Sequence, residues 1–567
     1  MTRSHLRRAL VAALTGALTL GVAWAGAVVV PAPRATPVGG VPTAGAEAGA
    51  DPAALDALDA TLADLAGSGA EGDDVVTAST TALGPTGLAV GAARVSIHPR
   101  PEDYGGRWET DRAECATLSP GYVQELLGEP LDELDHIAHT GSPWPENPDC
   151  IYMGGFGIGP MNPVTAFDTE LGLWVRAVAL TDGEDTLVLS VIDAEGHFWE
   201  YGSKCDDCGA KQIAERLGGE LGIDPAGIVI AATHAHSAPD LIGGWGFVPD
   251  WYMAQVTDAI EEAITTAVTT ARPAVLEVGE ERAREFNADR RDTYRSAEEQ
   301  QVGWLRALAT GPGGTVVRGP GGAPEVIATL GAYAAHPTRF GTNDGVAHPD
   351  WPGLFVRALE DRFGGVGMQI MTGLGNLSGA GPRETMGTGL AALLPPAGEG
   401  HVLTDTDVRF EQRTWDQPAT NVPLTALGVP GFFDHLFSPK PAMVRTGKEP
   451  DTAPCVSSSP YSVNVPVTAA WVGQDLAITT GPGEVFANLT NTVKERSGAR
   501  VTMPLGQAND SLGYIPQSFE HSRVGQQGLG FGAGGFVFVN YEDSYALDHC
   551  FGDMVLETQL EMLAGLR

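Results

Sequence analysis

Two histidines, one residue apart, close an apolar run in Gly227 to Asp240, GIVIAATHAHSAPD. Imidazole is the commonest metal-ligating side chain, and near neutral pH it can also carry protons. His234 and His236 follow Ile228 to Thr233, which reads as a strand. In open α/β sheets, ligands and catalytic groups gather just past the carboxyl ends of strands. Three further polar groups follow apolar runs in the same manner. His336-Pro337-Thr338 ends Val326 to Ala335, Gly375-Asn376-Leu377-Ser378 follows Met368 to Met371, and Gly481-Pro482-Gly483-Glu484 follows Leu476 to Thr480. A catalytic zinc site needs about three protein ligands plus an open position, and neutral His and carboxylate both qualify. Two histidines and Glu484 from separate strand ends would meet that need, and the chemistry would be metal-assisted hydrolysis. Each group also has a plain structural alternative. His336 could be a hydrogen-bonded core histidine, Glu484 a first-turn helix carboxylate, and Ser378 a turn residue. Their shared strand-end position favours a site.

The elements that would carry these groups alternate between strand and helix. Gly91 to Ile97 reads as a first strand. Leu173 to Leu180 and Thr186 to Ile192 are strands about the turn Asp182-Gly183-Glu184. Lys211 to Leu221 reads as a helix before the strand at Ile228, a βαβ unit that calls for a right-handed crossover. Val256 to Ala271 carries Ala259, Ile260, Ala263, Ile264, Ala267 and Val268 on one helical stripe. Strands recur at Val302 to Ala309, Val326 to Ala334 and Val366 to Met371, and a strand pair at Ala469 to Ile478. The expected fold class is α/β, with mixed β-sheets flanked by helices in a layered sandwich. Pro99 to about Asn162 reads as an irregular insertion. No repeat of 20–50 residues is visible, and no break in composition divides 90–567.

The chain has 567 residues and a formal net charge of −37, which argues against nucleic-acid binding. Arg3, Arg7 and Arg8 precede an apolar stretch from Ala9, and Ala23-Trp24-Ala25 is a small-residue cleavage site. Residues 1–30 are therefore expected to be a signal peptide, with an uncleaved anchor as the alternative. Residues 31–84 read as a disordered Ala/Gly/Pro-rich linker, with a short helix open at Pro52 to Leu65. The expected location is secreted, extracellular or at the cell surface. The six cysteines suit an oxidising compartment. Many connectivities are open; the expected pairs are Cys115–Cys150, Cys205–Cys208 and Cys455–Cys550. Cys205 and Cys208 form a C-x-x-C, which could be a redox pair or half a zinc site. No second C-x-x-C completes a four-sulfur site, which favours a local disulfide.

Short blocks run in order along nearly all of 90–567. They are Val90-Gly91-Ala92-Ala93, Val175-Arg176-Ala177, Ala232 to Pro239 (ATHAHSAP), Ala335-His336-Pro337-Thr338, Gly375-Asn376-Leu377-Ser378 and Pro482-Gly483-Glu484. Ala508 to Tyr514 (ANDSLGY) and Tyr541-Glu542 complete them. In this order they resemble the neutral (non-lysosomal) ceramidase family. The resemblance implies a single catalytic domain over 85–567, with Zn2+ held by His234, His336, Glu484 and Tyr514. It implies a proton-transfer or carbonyl-contacting role for His236, an active-site Ser378, and an oxyanion-stabilising Tyr541. Arg290 or Arg291 matches the family's site arginine, and Arg290 is preferred. There are departures. Asn376 stands where the family often has Asp, and Gly379 where it has Pro. Tyr541 lies further from Tyr514, across a Gly-rich segment, Gly525 to Gly535, that could be a lid. The family's C-terminal immunoglobulin-like domain is expected to be missing.

The implied activity is zinc-dependent hydrolysis of the amide of a ceramide-like N-acyl lipid, giving a sphingoid base and a fatty acid. Either Ser378 or water could be the nucleophile. The implied partner is a small-molecule or lipid substrate, with transient membrane-surface contact and no nucleic acid. Oligomeric state is not legible. A zinc amidase with a non-lipid substrate is one rival. A catalytically silent exported protein that binds lipid or glycan is another. An amidohydrolase barrel would need eight regular βα units, which the strand pair at 173–192 opposes. A metallo-β-lactamase would need His-x-His-x-Asp-His, where this chain has Ala238-Pro239.

Overall fold

The computed structural model describes residues 83–100, 108, 115, 149–156, 160–202, 204–246, 248–291, 298–311, 313–421, 424–425, 434–450, 452, 454–521, 531–532, 535–536 and 541–567. The expected signal peptide, nearly all of the linker, most of the Pro99–Asn162 insertion and most of Gly525–Gly535 lie outside the described residues.

Eight strands form the spine of the larger sheet. They are β1 (Ala89–Ser96), β2 (Trp174–Thr181), β3 (Thr186–Ile192), β4 (Ile228–Ala232), β5 (Arg272–Arg282), β6 (Gln301–Ala309), β7 (Val326–Tyr333) and β8 (Val366–Met371). Their spatial order is β8-β7-β6-β5-β1-β2-β3-β4, with His401–Val402 pairing off the path on β5. The β3–β4 and β7–β8 pairs are parallel and the rest antiparallel, so the sheet is mixed. The parallel β3–β4 pair is joined through α1 (Ala210–Leu221), as the βαβ reading expects. A smaller sheet contains β9 (Val408–Pro418), β10 (Ser462–Val472), β11 (Leu476–Thr480) and β12 (Val501–Leu505), with β11 parallel to β12. Both sheets are open, which removes the barrel alternative.

Strand alternation explains the layering. On β2, Val175, Ala177 and Ala179 face one core while Val178 and Leu180 face another. The first core is covered by α1 and by α2 (Asp250–Thr269), through Ile213, Leu217, Ile260 and Ile264. The second lies between the two sheets, where Leu189, Leu305 and Leu330 meet Val472, Ile478 and Met503. Helices α3 (Asp350–Phe363) and α4 (Arg383–Leu393) cover the far end of the larger sheet through Trp351, Phe355 and Leu390. Helices α5 (Ala487–Ser497) and α6 (Phe551–Leu566) cover the smaller sheet, against Val463, Val465, Val467 and Trp471 of β10. The result is helix, sheet, sheet, helix. Each fully buried Leu or Ile contributes about 1.5–3 kcal/mol.

Some boundaries differ from the sequence expectation. Helix α2 starts at Asp250, six residues before Val256, because Tyr252 and Met253 extend the buried stripe back towards Pro249, the extended residue that caps the helix. The strand pair at 469–478 extends to β10 and β11 over 462–480. The cysteines pair as expected: Cys115–Cys150, Cys205–Cys208 and Cys455–Cys550, with Cα separations of 5.9, 5.8 and 5.7 Å. Among the described residues, no helix is long and apolar enough to cross a membrane.

One buried carboxyl gives a test of the packing near α5. Burial pushes Glu520 up to about 7, although Asn488 and the Gln517 amide donate to it. The unfolded chain releases this proton near the ordinary carboxyl range and the folded chain only near 7. Stability from the neutral form is thus full at acid pH and is lost as pH rises through about 7. Ionising a carboxyl so displaced costs about 3 kcal/mol. Glu520→Gln should raise the Tm at about pH 8 and leave it nearly unchanged at about pH 4. Thermal melts of both proteins across pH check this; a variant equally destabilised at both pH values would refute it.

Candidate functional site

Strand ends from both sheets meet at one edge of the sandwich, tied by the chain that follows β12. Gly506 N donates to Met371 O at the end of β8 (2.8 Å), and Gln507 N donates to Gly483 O beyond β11 (2.9 Å). Gln507 O accepts from Ala232 N at the end of β4 (3.0 Å), and Asn509 Oδ1 accepts from Ile230 N (3.0 Å). The loops that carry His234, Glu484 and Tyr514 are therefore fixed to one another by main-chain bonds.

His234 is left-handed, with φ of 59°, a conformation rare for a non-glycine residue and common at functional turns. Its Nδ1 lies 2.7 Å from Glu195 O, and His336 Nδ1 lies 3.0 Å from Leu377 O. With a proton on each Nδ1, donated to these carbonyls, both Nε2 atoms carry lone pairs. Those lone pairs face a common centre. His336 Nε2 lies 2.8 Å and His234 Nε2 3.5 Å from Glu484 Oε2. His236 Nε2 lies 3.3 Å from His234 Nε2. One ring nitrogen of each of His234, His236 and His336 lies within 4.8 Å of the others. Burial and the neighbouring imidazoles lower His236 well below its ordinary range, and burial with Arg290 lowers His336 to about 4. Burial alone would raise the Glu484 carboxyl, but His234 and His336 outweigh it and hold the carboxyl low. Imidazole nitrogens around a carboxylate are a donor set for a cation. Two atoms each about 2.0–2.1 Å from zinc at tetrahedral angles lie about 3.3–3.4 Å apart. Among the proposed ligands, the 3.5 Å His234–Glu484 separation is near that edge, whereas His336 and Glu484, at 2.8 Å, stand at hydrogen-bond distance.

Tyr514 is brought in by register. Glu484–Val485 pairs in parallel with Tyr514–Ile515, with Glu484 opposite Tyr514, so both side chains share a face. The Tyr514 ring lies 6.2 Å from that of His336. Tyr514 Oη accepts from an Arg290 NH2 (2.9 Å), while Arg290 also donates to Gly375 O (3.0 Å) and Glu542 Oε1 (3.1 Å). Arg291 points elsewhere, to Asp543 and the Phe486 ring. Geometry thus separates the two arginines: Arg290 reaches the centre.

Ser378 lies in the short strand Leu377–Gly379, opposite Ala288 and bridged to His336. It is half-buried, and among the described residues its hydroxyl has no hydrogen bond to a histidine or carboxylate. No Ser-His-Asp triad is formed there. Asn376 Oδ1 accepts from Ala487 N at the start of α5 (2.9 Å), a bond that an aspartate could make equally well. Tyr541 opens the one-turn helix Tyr541–Ser544, and its side chain lies outside the described residues. The turn itself packs beside Tyr514, since Tyr545 O accepts from Tyr514 N (3.3 Å).

Two contributors were missed in the sequence. Glu195 holds His234 through its carbonyl, and its buried carboxyl lies 3.6 Å from the same ring. It stands three residues beyond β3, so the strand-end rule would have flagged it. Glu542, which orients Arg290, stood in the Tyr541-Glu542 block with no role attached to it. A second cluster, Cys455, His549 and Cys550, offers no free sulfur because its cysteines form a disulfide.

Two solved structures share this fold. The neutral ceramidase from Pseudomonas aeruginosa matches 84% of this chain and 74% of its own, with a TM-score of 0.53 and 15% identity. A ceramidase complexed with C2 matches 85% and 75%, with a TM-score of 0.55 and 15% identity. At that identity the likeness is one of fold. No protein-family model matches the chain, and no curated protein matches it in sequence.

Proposed function

We propose that the protein is a secreted zinc-dependent hydrolase that cleaves the amide of a ceramide-like N-acyl lipid into a sphingoid base and a fatty acid. One observation carries the reading: imidazole lone pairs and a carboxylate oxygen face each other at 2.8–3.5 Å on a ceramidase-like fold. A proton on a ring nitrogen or a bound cation relieves the repulsion among such atoms, and zinc takes both imidazole nitrogen and carboxylate oxygen as ligands. His234, His336, Glu484 and Tyr514 would hold the ion. When bound, zinc supplies Lewis acidity that makes water nucleophilic near neutral pH.

The chain's own residues do the rest. Arg290 orients Tyr514 by a charge-assisted hydrogen bond. His236 is the partly exposed imidazole of the three and is neutral at pH 7, so it can take a proton from the attacking hydroxyl. It then hands that proton to the nitrogen as the carbon–nitrogen bond breaks. Tyr541 is assigned to the developing oxyanion, a contact worth about 3–4 kcal/mol for a well-placed donor. Ser378, beside His336, either attacks the carbonyl or orients the substrate. The three disulfides and the N-terminal signal-like pattern support export.

The experiment is hydrolysis of a short-chain N-acylsphingosine by purified protein, by protein stripped with chelator, and by stripped protein given zinc. Activity should vanish on stripping and return with zinc. Ser378→Ala should retain metal; a lost kcat would mark Ser378 as nucleophile, and a raised KM would mark it as an orienting group. A zinc-loaded protein that cleaves no N-acyl amide would end the proposal.

A further inference from the structure

The three imidazoles are not equally covered. His234 and His336 are buried, whereas His236 is partly exposed, so His236 is the imidazole of the three that comes nearest the surface. Two aromatic rings stand beside it. Phe156 meets the His236 ring edge-on with centroids 5.7 Å apart, and Trp245 lies 6.4 Å from it. Both are partly exposed.

Their backbones are tied to the chain that follows the His-x-His turn. Asp240 N donates to Tyr152 O (2.8 Å), Gly154 N to Ala238 O (2.8 Å), and Met153 bridges Pro239. The Asp240 carboxylate accepts from Ile242, Gly243 and Trp245 amides at 3.0, 2.9 and 2.6 Å, which fixes the loop that carries Trp245. Phe156 has a φ of 65°, and its carbonyl accepts from the Asn162 side chain (2.8 Å). A Cβ on Gly155 would come within 2.4 Å of His236 Nδ1, so only glycine lets this segment pass so close. Two partly exposed aromatics held this firmly form a pre-organised apolar wall.

We propose that Phe156 and Trp245 determine specificity by gripping the hydrocarbon on the amine side of the scissile bond. This rests on the hydrolase reading. A group that protonates the leaving nitrogen must approach within about 3 Å of it. The nitrogen therefore lies next to His236, and the chain attached to it runs out along the two rings that flank that imidazole. The acyl chain, on the other side of the carbonyl, leaves by a different path.

Two series of N-acyl amides test this, one varying the amine from ethyl to dodecyl and one varying the acyl group over the same range. Wild-type kcat/KM should rise with amine length. Phe156→Ala and Trp245→Ala should each lower it for the longest amine about tenfold, mainly through KM, as truncation of a buried aromatic anchor does. Zinc content and the dependence on acyl length should stay unchanged. Trp245→Phe should keep most of the effect, and Met443→Ala, at a distant exposed strand, should match wild type. Calorimetric titration of the metal-free proteins with N-decylacetamide gives a second readout, with about tenfold weaker binding expected in both alanine variants. If no amide is cleaved but this binding difference holds, the wall stands and the hydrolase reading falls. Unchanged amine dependence in an active enzyme, or equal losses along both series, would overturn the wall.

Discussion

His234→Ala should fold, lose its zinc, and lose amide hydrolysis by at least about 1,000-fold. Three arrangements converge on this ring. Its strained backbone aims it inward, the Glu195 carbonyl sets its tautomer, and its Nε2 faces both Glu484 and His236. Replacing it removes one of the proposed ligands. Glu484 is then left with His336 as its one close histidine partner, so the remaining set is too sparse for tight binding. Circular dichroism and elemental analysis separate loss of fold from loss of metal. A His234→Ala protein with full zinc and full activity would contradict the assignment.

Arg290→Met should weaken zinc affinity and activity by about 10–100-fold each, the usual range for partners that orient a metal ligand. Methionine keeps the apolar stem but removes donors to Tyr514, Gly375 and Glu542. Tyr514 loses its charged partner, and Glu542 keeps a buried carboxylate without that arginine. Arg290→Lys should recover part of the loss, because one ammonium cannot span three acceptors as a guanidinium does. The neighbouring Arg291→Met should instead act on stability, since Arg291 pairs with the buried Asp543. Zinc titration and steady-state kinetics distinguish the two. Equal metal affinity in Arg290→Met and wild type would remove Arg290 from the centre.

Much of this was legible in the sequence for a physical reason. Core strands buried on both faces, such as Thr186–Ile192 and Val366–Met371, read as continuous apolar runs with sharp ends. Groups placed beyond those ends were visible by position, which singled out His234, His336 and Glu484. Strand β9 was not visible: it is an edge strand, half-exposed and rich in charge, and its pattern VRFEQRTWDQP resembles a loop. Strand β5 was hidden for a similar reason, since its last three residues are charged and partly exposed. Tyr514 came only from the resemblance, because the short Tyr514–Ile515 pairing has no apolar run to announce it. The choice between Arg290 and Arg291 needed three-dimensional contacts, as adjacent residues on a strand end point to opposite sides. The aromatic wall at His236 depends on Phe156 and Trp245, some ninety residues apart in the chain, and no spacing rule brings them together.

The central claim is that histidine, carboxylate and phenol side chains from distant strand ends share one zinc ion. Diffraction from crystals of the purified protein, recorded on both sides of the zinc absorption edge, tests it directly. One strong anomalous peak is expected within about 2.0–2.3 Å of His234 Nε2, His336 Nε2 and a Glu484 oxygen. An ordered site in zinc-supplemented crystals with no anomalous density among those atoms would contradict it.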